Sequence, residues 1–463
     1  MSRAFLVFAF AAMIASPIAG RAASEIAKPG AIVMNHLPNP VYFDGANTPD
    51  RETAIAAYRR EIKDMIAIGS YSVALDGFNN PRDKTRFGYW KEAVRRHNEE
   101  GGVKFCFFLL ADFDPAVWPA ETIRSVYQSL VDSPYYCAIQ GKPALATYRG
   151  EQKSASWFLS EVLNPLRADG DEPFFLVFFR GTSTQAVISN YLKVWRNAFY
   201  KVGAYRFSGN TPQATLNGEI SEKPLYDNAG FLYIPGFGTS YWAACSSKTN
   251  AGVYFEHDGF EGLDLLWKKV NPGGPLNGDY VMLTVWNDVG EDNFFSRAKE
   301  PLPFYRNPDL DTWTHRGFHE FSRSSIRAFR KLGSENYDWL YWAYRQHPKD
   351  LPAPKGDECV EYGNKLSFTG NIQDVIYVTT VLKAPAELQV TLGNSSFVQN
   401  QPEGIAHVRI PWNDERGRPV FTLSRGGVVI MSRPGDLEIT DKPIGRDGEG
   451  TRNFNTYADV MRR

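Results

Sequence analysis

Two carboxylic acids stand three residues apart at the end of an apolar run. Residues 280–295 read YVMLTVWNDVGEDNFF, with Asp288 and Glu291 separated by Val289 and Gly290. A protonated carboxyl can give its proton to a leaving oxygen, while an ionised one activates water or attacks carbon. That pair is the minimal apparatus for breaking a glycosidic bond. On an extended strand, positions three apart face opposite ways, so the two acids converge only if the chain turns. Gly290 permits such a turn. Trp286 and Asn287 come just before and are candidate substrate contacts. The indole would serve as a sugar platform, or as an apolar wall that raises a nearby carboxyl pKa. A solvated loop is the plainer reading of a D-x-x-E pair on composition alone, so the elements around it decide.

Those elements alternate. Strand-like apolar runs occupy 31–34, 71–76, 103–110, 143–148, 173–179, 203–207, 230–234 and 280–285. They are nearly continuous in apolar residues, as strands buried on both faces of a parallel sheet are. Helical periodicity fills 51–68, 87–98, 120–131, 154–166, 184–200 and 262–270 between them. Strand then helix, repeated in this way, predicts a (β/α)8 TIM barrel. No Gly-rich phosphate loop follows the first strand, which disfavours an open dinucleotide-binding sheet.

A barrel of this kind carries its functional residues at the C-terminal ends of its strands. Read there, the chain supplies Asn35 and His36, Asp76 and Asn79, Asp112 and Asp114, Tyr148 and Arg149, Arg180, Ser208, Phe237 and Tyr241, and finally Trp286 to Glu291. Each has a bland alternative. His36 and His315 either hold substrate hydroxyls or are structural hydrogen-bonders. Asp112 lines a subsite or caps the next helix. Arg180 either holds a carboxylate ionised or pairs with a loop acid. Trp242 stacks on a sugar or sits in the core. Tyr148 joins this set as a candidate substrate contact.

Composition narrows the substrate. Formal net charge is −1 over 463 residues, without the basic footprint of a nucleic-acid binder. The 11 Trp, 23 Tyr and 31 Phe suit sugar rings as well as a large core. Arg3, an apolar run from Ala4 to Ala15, and small residues at Gly20, Ala22 and Ala23 make 1–23 read as a signal peptide. Export permits disulfides. Cys106, Cys137, Cys245 and Cys359 allow three complete pairings, and spacing does not choose among them. There is no CxxC pair, and neither a metal nor any other cofactor is expected. The expected partner is a polysaccharide, taken up by a secreted monomer with no nucleic-acid or membrane partner. Residues 351–364 read as a linker after a barrel at 24–350. Strand patterns over 365–463 predict a small antiparallel β-sandwich that supports the barrel.

The segment WNDVGE resembles the W-N-D-x-G-E signature of glycoside hydrolase family 71, the endo-α-1,3-glucanases or mutanases. ALDGFNN at 74–80, KFCFFLLADFD at 104–114, GKPALATYRG at 141–150, YIPGFGTSYW at 233–242, the stretch from Trp313-Thr314-His315 to Lys331, and YWAYRQHPKD at 341–350 resemble further family segments in order. The resemblance implies a catalytic pair at Asp288 and Glu291, with Asp76 as a third acid in the site. It also implies endo-cleavage of α-1,3-linked glucan with inversion. An inverting pair needs carboxyls ~6.5–9.5 Å apart, so Asp76 stands as a rival for one of the two roles, and acid and base stay unassigned between them. Val289, Asp292, Asn293 and Phe294 depart from the residues frequent in the family. That departure keeps a second reading open, a hydrolase of another α-linked polysaccharide, beside a third, a non-catalytic polysaccharide binder.

Overall fold

The computed structural model describes residues 23–36, 50–113, 117–179, 185–198, 202–205, 212–243, 253–287, 295–297, 314–333, 335–351, 369–442, 444–445, 448–449 and 456–463. Its first part is a parallel sheet of eight runs: β1 (Gly30–His36), β2 (Ser70–Gly77), β3 (Cys106–Asp112), β4 (Lys142–Tyr148), β5 (Phe174–Phe178), β6 (Val202–Tyr205), β7 (Leu232–Ile234, resuming after Pro235 as Gly236–Phe237) and β8 (Tyr280–Leu283). Each pairs with the next in the chain, and β8 pairs in parallel with β1. The first half of β7 pairs with β6 and its second half with β8. The two ends of the hydrogen-bonded path are thus consecutive in the chain, with only Pro235 between them. Every residue of β3, β5 and β8 is buried, which is why these strands read as unbroken apolar runs.

Helices fill the crossovers. Helix α1 (Arg51–Ile68) starts where Asp50 accepts the Glu52 and Thr53 amides and stops at Gly69, whose φ of 93° suits glycine. Its inner face buries Ala54, Ile55, Tyr58, Ile62 and Met65, and also one acid, Glu61. Helix α2 (Pro81–Glu99) is capped by Asn80, with proline at its first position. Helix α3 (Ala120–Val131) and the composite α4 (Ala155–Trp157, Phe158–Leu163, Asn164–Ala168) follow. Next come α5 (Gln185–Ala198), α6 (Pro212–Ala229), α7 (Phe260–Val270) and α8 (Arg316–Phe329). No helix among the described residues is long and apolar enough to cross a membrane. Cys106 at the start of β3 is disulfide-bonded to Cys137. Cys245 and Cys359 lie outside the described residues.

Two antiparallel four-stranded sheets follow, beside a small three-stranded sheet of Tyr241–Ala243, Val253–Phe255 and Thr369–Asn371 and a two-stranded one of Ile444–Gly445 and Gly448–Glu449. The first runs in the order β13 (Gly404–Pro411), β10 (Val375–Leu382), β9 (Trp339–Arg345), β16 (Thr456–Arg462). The second runs β12 (Ser395–Gln401), β11 (Ala386–Leu392), β14 (Val420–Arg425), β15 (Val428–Pro434). The first sheet lies between two layers. On one face Tyr341 packs against Phe260 and Phe321 of the helices; on the other Trp342 stacks on Phe421 of the second sheet at 4.5 Å. Strand β9, upstream of the boundary expected at 350, is therefore wholly buried and belongs to this antiparallel sheet.

Candidate active site

Register decides which strand-end residues share a face. Partnered residues on neighbouring strands point the same way, and the direction alternates along each strand. Asn35 is partnered with Leu75, and its amide donates to Glu61 of α1 at 3.0 Å, so this parity faces the helices. Asp76 has the opposite parity and faces away from them. Asp76 is partnered with Leu110, and Asp112, two residues on, is partnered with Tyr148. Asp76, Asp112 and Tyr148 therefore occupy one face at the C-terminal edge of the sheet, from three successive strands. Asp76 and Asp112 are both buried. The Tyr148 ring lies flat on Phe178 of the next strand, with centroids 4.6 Å apart and planes 5° apart. Such a pair makes a rigid apolar wall at low entropic cost.

The backbone beside these residues is tightly held. After Asp76, a Cβ on Gly77 would lie 2.6 Å from the Phe87 ring, so glycine is required for the strand to approach α2. Asp83 in the first turn of α2 accepts the Phe78 amide at 2.7 Å, fixing the turn that follows Asp76. The Phe113 amide donates to the Tyr148 carbonyl, locking the end of β3 to the end of β4. Arg149 then takes a φ of 54°, and a Cβ on Gly150 would meet Val177 at 2.4 Å.

Beyond β8, the Thr284 amide donates to the Phe237 carbonyl and the Trp286 amide to the Met34 carbonyl. The chain returns beside itself, with Phe295 N–H donating to the Val285 carbonyl and Ser296 N–H to that of Trp286, both at 3.0 Å. Asp288 and Glu291 are in the interval 288–294, outside the described residues, as is Arg180. Trp286 is fully buried with its ring beside His319 of α8, centroids 5.9 Å apart, so it is a wall and not an open platform. Asn287 is buried at the same edge. The backbone of His36 pairs with that of Asp76. Trp242 lies in Tyr241–Ala243, a short strand pairing with Val253–Phe255. His315 stands apart: its fully buried ring donates to the Thr456 carbonyl of β16 at 2.9 Å, at the joint between α8 and the C-terminal sheet.

A cleft of about 540 Å³ opens on the far side of His319, lined by Arg297 and by residues of α1, α8, β9, β15 and β16. Four of its five arginines are matched by acids: Arg297 by Asp64, Arg316 by Asp459, Arg323 by Glu320 and Glu335, Arg433 by Asp436 and Asp459; the fifth, Arg462, lies over the Tyr337 and Trp339 rings. It is an ion-pair seam holding layers together. Sequence reasoning missed three residues around the edge: Glu61, Phe178 and His319. Glu61 sits inside the apolar stripe of α1, and His319 follows His315 at helical spacing; both were legible as polar residues on a buried face.

Two solved structures and one family resemble this chain. A GH99 endo-alpha-mannosidase from Bacteroides thetaiotaomicron is 13% identical with a TM-score of 0.46, over 66% of this chain and 98% of that chain. A calcium-binding mutant of β-glucuronidase 2 from Bacteroides uniformis is 11% identical with a TM-score of 0.43, over 90% of this chain and 45% of that chain. No curated protein matches. The sequence profile of glycosyl hydrolase family 71 matches residues 47–463, nearly the whole length, and the chain belongs to that family.

Proposed function

We propose that this protein is a secreted, endo-acting glycoside hydrolase that cleaves α-1,3-glucosidic bonds of glucan with inversion. Asp288 and Glu291 are its acid–base pair, and Asp76 is a third acid over the scissile bond. The observation that carries the reading is the convergence of Asp76, Asp112 and Tyr148 on one face of the strand ends, at the edge where the chain from β8 delivers Trp286 and Asn287. Membership of family 71 over 47–463 supports hydrolysis as the chemistry. We read the parallel sheet as a (β/α)8 barrel closed through Pro235; the pairing of the two halves of β7 with β6 and β8 supports this. The apolar segment after Arg3 and the Cys106–Cys137 disulfide support export.

In this mechanism one carboxylic acid protonates the glycosidic oxygen as the bond to the anomeric carbon breaks. The other carboxylate takes a proton from water, whose oxygen bonds to that carbon from the opposite face. Both groups end in the reverse protonation states, restored by exchange with solvent. The half-buried Tyr148 ring, held flat by the buried Phe178 behind it, offers an apolar face against which a sugar ring packs. The test is a panel of insoluble and oligomeric glucans, with product anomers followed by NMR. The β-anomer released first from α-1,3-glucan is the expected result; the α-anomer first overturns inversion. A second reading, another α-linked polysaccharide as substrate, is favoured by Val289, Asp292, Asn293 and Phe294 in the loop. Turnover of a different α-glycan in the same panel would select it.

A further inference from the structure

On either side of 288–294 the described chain forms a neck, in which Phe295 and Ser296 are hydrogen-bonded to Val285 and Trp286. What holds this neck to the scaffold determines how the segment is presented. On the incoming side, the Trp286 amide is tied to Met34 of β1. On the outgoing side, Arg297 pairs with Asp64 of α1 at 3.0 Å, and its carbonyl accepts from the Thr314 hydroxyl. His319 alone among these anchors touches both sides. Its Nδ1–H donates to the Phe295 carbonyl at 3.0 Å, and its ring lies against the Trp286 indole. Both rings are fully buried.

The chemistry of the ring suits an anchor. A carbonyl only accepts, so Nδ1 carries the proton and the tautomer is fixed. Burial, with the nearby Arg297 charge, pushes the ring pKa down to about 3, so His319 stays neutral through the range in which carboxylate catalysts operate. It adds no charge beside the acids and takes no part in their titration. Helix α8 supplies the rigidity, since Phe318, Phe321 and Ile326 are packed into the core on the same element.

We infer that His319 is a positioning residue, fixing the two ends of the segment bearing Asp288 and Glu291 relative to each other and to α8. The inference rests on the acid–base reading of that pair. An inverting mechanism tolerates little error in the distance between its two carboxyls, because a water must fit between one of them and the sugar. A displaced neck changes that distance without removing any group that contacts substrate.

Two full-length variants test this. His319→Phe keeps a ring against Trp286 and loses the donor; His319→Asn places an amide N–H near the Nδ1 position and restores it. In His319→Phe, kcat is expected to fall at least tenfold while KM stays within twofold, and the acid and basic limbs of the pH–rate profile move relative to each other. His319→Asn recovers most of kcat. Amide hydrogen exchange gives a readout independent of activity: Phe295 and Ser296 should exchange at least tenfold faster in His319→Phe, with Val73–Leu75 unchanged. Unchanged exchange at Phe295 and Ser296 overturns the inference, as does a loss confined to KM. Should the wild type hydrolyse no glycan, the proposed function fails, and the exchange data still decide whether His319 holds the neck. If His319→Phe does not fold, full exchange protection without kcat recovery in His319→Asn overturns it.

Discussion

The strand-end edge and the joint with the C-terminal sheet both take charge out of water, and they do it in contrasting ways. At the joint, charges come as complementary pairs with donors and acceptors matched. Arg345 of β9 holds Glu256 at 2.7 Å, with both side chains under 5% exposed, and also reaches Asp374 and the His347 and Gln373 carbonyls. Arg316 of α8 meets Asp459 of β16, and His407 of β13 meets Asp264 of α7. At the edge, acids from separate strands gather on one face beside a stacked aromatic pair. Opposite charges in contact hold layers together. The acids gathered on one face serve the proposed hydrolysis, which needs two carboxyls over one bond. The contrast teaches where substitution should hurt stability and where it should hurt turnover.

The largest effect is expected at the edge, on rate alone. Glu291→Gln or Asp288→Asn should lower turnover of the hydrolysed glucan by roughly 10²–10⁴-fold, the usual worth of a positioned proton donor or acceptor. The denaturant midpoint should stay where it is. Reducing-sugar release and urea unfolding on the same preparations check this. Full activity in both variants would break the assignment and move the acid–base pair to other acids of the edge; no turnover by the wild type would leave the non-catalytic binder standing.

The joint should behave in the opposite way. Arg345→Met leaves Glu256 buried without its cation, and removing one member of such a pair costs about 3–5 kcal/mol. Urea unfolding should register that loss, while kcat of the folded enzyme stays at the wild-type value. A stable Arg345→Met protein with depressed kcat would join the two regions functionally and erase the distinction drawn between them.

How much of this could be read from the chain differs between the two regions for physical reasons. All eight parallel strands were legible within a few residues, because burial on both faces leaves an unbroken apolar run. Trp339–Arg345 fell inside the barrel bounds of 24–350 without being read as a strand; WLYWAYR is covered on both faces too, but in an antiparallel sheet between two layers. Helix α6 escaped notice because Gly218 and Pro224 interrupt its pattern; it forms nonetheless, with Leu216, Glu219 and Tyr226 buried and Glu219 accepting the Gly236 amide. At the site, Asp76 and Asp112 were legible as acids ending apolar strands. Glu61 and His319 were legible only as polar residues on buried helix faces; their roles were not, since they hold Asn35 and Phe295, and partners distant in sequence leave no local pattern. Cys106 and Cys137 were two of four candidates until the fold brought them together.

An effect absent at neutral pH sharpens the comparison from within, because His319 lies under the edge and is buried with no acid in its hydrogen bonding to Phe295. In the unfolded chain its pKa returns to the ordinary 6.5, against about 3 in the fold, lowered first by burial and then by Arg297. Between these values the unfolded state binds one more proton than the native state. Stability therefore rises with pH across that window, is fully present above 6.5, and is lost as pH falls towards 3. The slope from this one group is about 1.4 kcal/mol per pH unit. The carboxylates titrate in wild type and variant alike, so the difference between the wild type and His319→Asn isolates it. Urea unfolding at a series of pH values should give a wild-type curve that falls more steeply than the variant's below pH 6.5 and runs parallel to it above. Curves parallel throughout would mean that the imidazole gains charge in place, and with it loses the fixed neutral tautomer on which its hold over Phe295 depends.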